Sequence, residues 1–187
     1  MIYKVTEGTS VWFTGPPASG KSTIAYQIRK IVHEEFDLPV IVLDGDVVRP
    51  IIAEDLGYGV EDRFKSLQKY ILLSKLLIEA PIIVLVVVVN HSEKQRKLAR
   101  RSHAKQRFFE ISIDTPLEEC YNRDPKGHYK RAASDHDSAD LVGWDITYEK
   151  PEHAELVIET MSVTPEEAAR KVIALLTTEN IIMKEDE

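Results

Sequence analysis

The chain has 187 residues, of which 43% are hydrophobic and 29% charged, and its formal net charge is −7. These are the proportions of a soluble domain with room for a sizeable core, and the acidic balance argues against nucleic acid as a partner. A single cysteine, Cys120, excludes an intrachain disulfide and fits a cytoplasmic protein.

The N-terminal stretch Met1 to Ser10 carries Lys4 and Glu7 and lacks an apolar core, so no signal peptide is expected. A strand near 10–14 leads into Gly15-Pro-Pro-Ala-Ser-Gly-Lys-Ser-Thr23, and a helix of about Lys21 to Phe36 follows. Val40 to Leu43 is the next strand, ending at Asp44-Gly45-Asp46. A short helix is expected around Pro50 to Asp55, and a longer one from about Val60 to Glu79. Ala80-Pro81 stops it. Ile82 to Val89 is apolar over eight residues, too short to cross a bilayer as a helix, and reads as a strand buried on both faces. No membrane association is expected.

Ser92 to His103 reads as a charged helix. The stretch Lys94 to Arg107 carries seven Lys or Arg, a pattern typical of a solvated helix face. Phe108 to Ile113 alternates as a strand, and Thr115 is placed to cap the helix containing Leu117 and Cys120. Glu155 to Ile158 is a last short strand. Thr164-Pro165-Glu166-Glu167 opens a final helix with cap, N1 proline and acidic first turn in place. The segment Thr6 to Thr9 and this last helix read as structural, and the tail 184–187 as frayed. Alternating β and α units imply an α/β fold, a parallel sheet with helices on both faces and ligands at the carboxyl ends of its strands.

Residues 15–23 match the phosphate-binding pattern G-x-x-x-x-G-K-[ST] between a strand and a helix. Backbone N–H groups from Ala18 and Ser19 to Ser22, with the helix N-terminus, form an anion cradle. Pro16 and Pro17 have no N–H and must precede it. Gly15 and Gly20 permit the turn, Lys21 can reach the β- and γ-phosphates of ATP, and Ser22 can ligate Mg²⁺, with Thr23 beside it. Lys21 is expected at a solvated loop.

Asp44 and Asp46 lie at the rim of that loop. One could order Mg²⁺-bound water and the other accept a proton from an attacking hydroxyl. Arg49, one turn on, could hold an anionic acceptor. Residues 123–150 lack a sustained apolar period and read as a lid closing over phosphates, with Arg123, Lys126, Lys130 and Arg131 at its start and Trp144 and Tyr148 able to fold back onto the body. His128, Asp135, His136 and Asp137 read as part of that polar lid rather than as a zinc centre.

Gly15 to Thr23, Leu43 to Arg49, Asp55-Leu-Gly-Tyr58, Asp62-Arg63, Arg123 to Ala132 and Tyr148-Glu-Lys-Pro151 occur in an order and spacing that resembles the adenylylsulfate (APS) kinases over nearly the whole chain. The resemblance implies a P-loop NTPase-type three-layer sandwich and a single kinase domain over 1–187. It also implies γ-phosphoryl transfer from ATP to the 3′-hydroxyl of APS with Mg²⁺, giving PAPS, and a homodimer. Carried over, Asp46 looks like the group engaging the acceptor hydroxyl and Asp44 like a partner of the metal waters. Arg49 and Arg63 look like phosphosulfate contacts, Lys126 like a lid cation, and Arg123 like the residue against the ATP adenine. Ser66, Asn90 and Lys130 fall in the acceptor segments of the pattern.

The acceptor segments depart from the family pattern. Val47 replaces an Asn, and Ser66, Gln68 and Lys69 stand where Asn and paired Arg are usual. Val88-Val89-Asn90-His91-Ser92-Glu93 replaces Phe-Ile-Ser-Pro-Tyr/Phe-Arg. Glu93 thus puts a negative charge where the pattern has a cation, with Lys94 and Arg96 close enough in sequence to offset it. Leu141 replaces one aromatic wall of the acceptor base site and Tyr58 the usual Phe of the other. Two further readings therefore stand beside APS kinase: a kinase of the same design for another nucleotide, such as a cytidine diphosphate derivative, and a non-catalytic nucleotide-binding protein.

Overall fold

The computed structural model describes residues 1–103, 107–134 and 140–185. Five parallel strands form the central sheet in the order β3 (Val40–Asp44), β4 (Ile83–Val87), β2 (Thr9–Thr14), β5 (Phe108–Asp114) and β6 (Leu156–Glu159). Residues alternate strictly across it. Val11 and Phe13 join Leu85, Ile111 and Ile113 in a cluster with α1 (Lys21–Phe36) and α7 (Pro165–Thr178). Trp12 points the other way, with Val84, Val86 and Phe108, against α3 (Val60–Leu77) and α4 (Glu93–Ser102). All five residues of β4 and all six of β2 are closed to solvent in this way, since both strands are covered on both faces. The registers Val11↔Leu85 and Val11↔Phe109 align the three central strands, so the loops after them emerge at one edge.

The last helix begins as expected: Thr164 and Glu167 form a reciprocal capping box with Pro165 at the first helical position. Three expectations are corrected. The helix expected at Pro50 to Asp55 is α2, Gly45–Ile52. It starts earlier because the Asp44 side chain accepts the Asp46 N–H at 3.0 Å and caps the turn, and Pro50 lies inside it. Thr115 does not cap α5 (Leu117–Arg123), whose N-cap is Pro116. Its hydroxyl instead donates to the Ser19 carbonyl at 2.9 Å and lies 2.6 Å from the Thr160 hydroxyl, tying the phosphate loop to β5. Lys184 is not frayed: β1 (Tyr3–Val5) pairs antiparallel with β7 (Ile182–Lys184). No local pattern marks two three-residue strands whose partners lie at opposite ends of the sequence.

Within the expected lid lies α6, His128–Ser134, whose Tyr129 and Ala132 are buried. At seven residues it is too short to give a periodic signal. Trp144 packs edge-on against Tyr121 at 5.5 Å, and the Tyr148 hydroxyl lies 3.1 Å from that of Thr14, so both aromatics fold back onto the body. Asp135, His136 and Asp137 lie outside the described residues. Among the described residues no helix is long and apolar enough to cross a membrane.

Candidate active site

A cavity of about 1280 Å³ opens at the carboxyl edge of the sheet. One end is the loop after β2. Gly20 caps α1 in the left-handed region at φ 102°, a conformation a side chain would strain. Gly15 is needed for space: a Cβ there would come within 2.7 Å of the Ser19 hydroxyl and 2.9 Å of the Ile113 carbonyl. Gly15 therefore shapes the cradle without lining it, whereas Ala18, Ser19, Gly20, Lys21, Ser22 and Thr23 all face the cavity.

Lys21 corrects an expectation. It is buried, not solvated, with Nζ donating to the carbonyls of Gly15 at 2.8 Å and Pro16 at 2.6 Å and to the Ser19 hydroxyl at 3.3 Å. Burial pushes its pKa down to about 8, against the opposing pull of Cys120, Asp46 and Asp44. The reason is local. Oxygen atoms turned inward by the loop wrap the ammonium group, and the close-packed core lies behind it. The prolines sit before the cradle, as their missing N–H groups require.

Asp44 is buried at the rim while Asp46, two residues on, is exposed. Asp46 pairs with Lys126, which follows α5, across 80 residues of sequence. Arg123 stretches along the same side, held by Glu119 at 2.8 Å, with a guanidinium nitrogen 3.8 Å from the place a Cβ on Gly20 would occupy. The start of α7, at Thr164 and Pro165, and Thr160 before it complete that wall.

The other end of the cavity carries Arg49, Tyr58 and Arg63. Arg49 donates to the Gly57 carbonyl and its guanidinium stacks over the Tyr58 ring at 4.2 Å. Arg63 donates to the carbonyls of Tyr58 and Asp140, both at 2.6 Å, and so joins the tyrosine to the segment leading into Leu141. Ser66, Asn90 and Leu141 line the same end. Asn90 adopts φ 48°, which asparagine tolerates, and its carbonyl accepts from Arg96 at 2.9 Å.

Lys130 is the acceptor candidate that does not line the cavity. It is exposed on α6, and the next residue, Arg131, faces inward instead. The charge expected at Glu93 is likewise turned away. Glu93 pairs with Lys97 at 2.8 Å and is absent from the cavity wall, and Arg96 is buried against Glu110 at 3.3 Å rather than offsetting it. Tyr70, His91, Gln95 and His128 also line the cavity, though none of them was expected as a site residue. The rule that ligands gather beyond strand carboxyl ends could have found His91, which follows β4. Tyr70 lies mid-helix in α3, where nothing in the sequence separates a core tyrosine from a cavity one.

The adenylylsulphate kinase family model matches residues 7–159. The adenylyl-sulfate kinase of Pseudomonas aeruginosa is 36% identical over 168 residues, spanning 90% of this chain and 85% of that protein. The bifunctional enzyme NodQ of Rhizobium meliloti is 40% identical over 159 residues, 85% of this chain but 24% of that longer protein. Among solved structures, the APS kinase of Mycobacterium tuberculosis in complex with AMPPNP and APS matches with a TM-score of 0.86 and 35% identity, covering 91% of this chain and 98% of that one. The chain belongs to the adenylylsulphate kinase family.

Proposed function

We propose that the protein transfers the γ-phosphoryl group of ATP to the 3′-hydroxyl of adenylyl sulfate, giving PAPS. The observation that carries this reading is the Asp46–Lys126 pair, which stands between the buried Lys21 of the phosphate loop and the arginine-bounded half of the cavity. The phosphate loop and Lys21 hold the triphosphate, and Arg123 lies against the adenine. Asp46 receives or orients the acceptor hydroxyl, and Lys126 then turns to the transferring phosphoryl. Arg49 and Arg63 hold the phosphosulfate, with Tyr58 and Leu141 on the faces of its base. Positioning and fixed charge supply most of the acceleration in such a reaction.

Mg²⁺ fits this donor set. Ser22 faces the cavity beside Lys21, and Asp44 uses one carboxylate oxygen on the Asp46 N–H. The second oxygen remains for metal-bound water. The ion would neutralise phosphate charge. We read 1–187 as one kinase domain with 123–150 as its lid, and the protein as a cytoplasmic homodimer. Exposed Leu72 and Leu76 one turn apart on α3, and Val47 and Ile51 on α2, support a subunit contact.

The cytidine nucleotide and non-catalytic readings lose support to the family match along the chain and to a site that pairs a carboxylate with a lid cation. The test is ADP release with APS, a cytidine diphosphate derivative and simple nucleosides at equal concentration, with the product's phosphorylated position assigned by phosphorus NMR. APS should give the highest rate and a 3′-phosphate. A cytidine compound ranking above APS would overturn the assignment.

A further inference from the structure

Two polar side chains in the acceptor half are largely buried, yet their polar atoms stay open to the cavity. His91 is 8% exposed and Gln95 5%, and both line the cavity. Among the described residues neither the imidazole nor the carboxamide finds a hydrogen bond; the backbone alone is engaged, through the His91 carbonyl to the Glu149 N–H at 2.9 Å and the Gln95 N–H to the Ser92 carbonyl at 3.1 Å. Their hydrogen-bonding capacity is thus left for whatever enters the cavity, and a ligand group that pairs with it is favoured over one that cannot. Their placement is also rigid. The Glu149 carboxylate accepts the Glu93 N–H at 2.7 Å, while Arg96 and Thr14 hold the Asn90 carbonyl at 2.9 and 3.3 Å, so the loop before α4 is fixed on both flanks.

Arg63 locates the pair within the cavity. It bonds the backbone of Tyr58 and of Asp140, next to Leu141, and its charge acts on His91. Burial first, then Arg63 and Arg96, lower the His91 pKa against the opposing Glu149, so the ring is neutral near pH 7 and offers one donor and one acceptor. Gln95 offers both as well. Resting on the reading of Tyr58 and Leu141 as the faces of the acceptor base, we propose that His91 and Gln95 read the edge of that base and select a purine bearing an exocyclic amine. A carboxamide can pair with the amine and adjacent ring nitrogen of adenine together. The pattern's Ser-Pro at 90–91 offers no such ring, so this recognition would be particular to the present chain.

The test compares APS with purine riboside 5′-phosphosulfate, which carries hydrogen in place of the amine. The wild type should prefer APS by about a hundredfold or more in kcat/KM, because a site built to bond a polar group rejects analogues that lack it. Gln95→Met and His91→Leu should each shrink that preference to under about tenfold by raising KM for APS, with KM for ATP and the thermal midpoint kept. Gln95→Glu, which retains size and an acceptor for the amine, should keep most of the preference. An unchanged ratio in the Met and Leu variants, or an equal loss toward ATP, would overturn the proposal. Calorimetric binding of the two nucleotides reads the same preference without turnover. A wild type that binds APS selectively but fails to phosphorylate it would sink the functional reading and leave the recognition standing.

Discussion

The two ends of the cavity are built in different ways. The phosphate end comes from one unbroken stretch, 15–23, buried against the core and held by contacts within nine residues and by Thr115 behind it. The acceptor end is assembled from α2, the turn at Tyr58, α3, the loop after β4 and the segment at Leu141, and much of it stands in solvent: Tyr58 is 63% exposed. A contiguous, buried site leaves few substitutions that keep its shape. A site gathered from five segments can change one wall at a time, and the departures from the family pattern fall there.

Lys21→Ala strikes the contiguous end and should have the largest effect. A preorganised charge at a phosphoryl transition state is worth about 3 kcal/mol or more, so turnover should fall at least a hundredfold. The fold should survive unweakened, because burial makes Lys21 a cost to the folded state when charged. Its pKa of about 8 lies below the usual 10.5, so between those pH values the unfolded chain binds more protons than the folded one. Stability from this group therefore rises with pH through that window, by at most about 1.4 kcal/mol per pH unit. Denaturant titrations from pH 7.5 to 10 should show the rise in the wild type and lose it in Lys21→Ala. The same shift makes ATP binding take up a proton above pH 8, since the phosphates favour the ammonium form; calorimetry in buffers of different ionisation heat would detect it. Full activity in folded Lys21→Ala would remove the kinase mechanism.

Asp46→Asn strikes the junction of the two ends. It removes the carboxylate facing Lys126 and any proton acceptor near the hydroxyl, and assistance of that kind contributes roughly 10²–10⁴-fold. Turnover should drop by that order while the ATP dissociation constant stays within about fourfold. A change below about threefold in kcat would show that Asp46 is not the acceptor-side group.

Leu141→Phe probes the dispersed end and should have the smallest effect. Leu141 is half-buried in the cavity wall, and its N–H is fixed by the Asp145 carboxylate at 3.0 Å. Base–aromatic stacking is worth about 1–3 kcal/mol. The replacement should lower KM for APS several-fold without moving KM for ATP. Weaker APS binding in this variant would show that the wall has been reshaped around the leucine.

The same division explains what could be read from sequence. Lys21 to Phe36 is legible because glycine, loop and apolar period are all local, and the buried strand at 83–87 announces itself by an uninterrupted apolar run, β-branched except at Leu85. Asp46 and Lys126 were each legible as charged groups in short motifs. Lys21's burial was not, because it depends on carbonyl directions that no residue pattern records. The inward turn of Arg131 in place of Lys130 depends on the phase of a seven-residue helix. His91 was within reach of the strand-end rule, but Gln95 was not, because its facing the cavity depends on how the first turn of α4 packs.

The chain has two tryptophans, and the fold has put them in opposite settings. Trp12 is 1% exposed in the sheet, 5.9 Å from His103, while Trp144 is 47% exposed beside Tyr121. Their emission should therefore separate by wavelength and by iodide quenching: a blue, shielded signal from the core and a red, quenchable one from the segment that continues Leu141 of the cavity wall. Nucleotide binding would be read in the second and unfolding in the first, from one unlabelled sample.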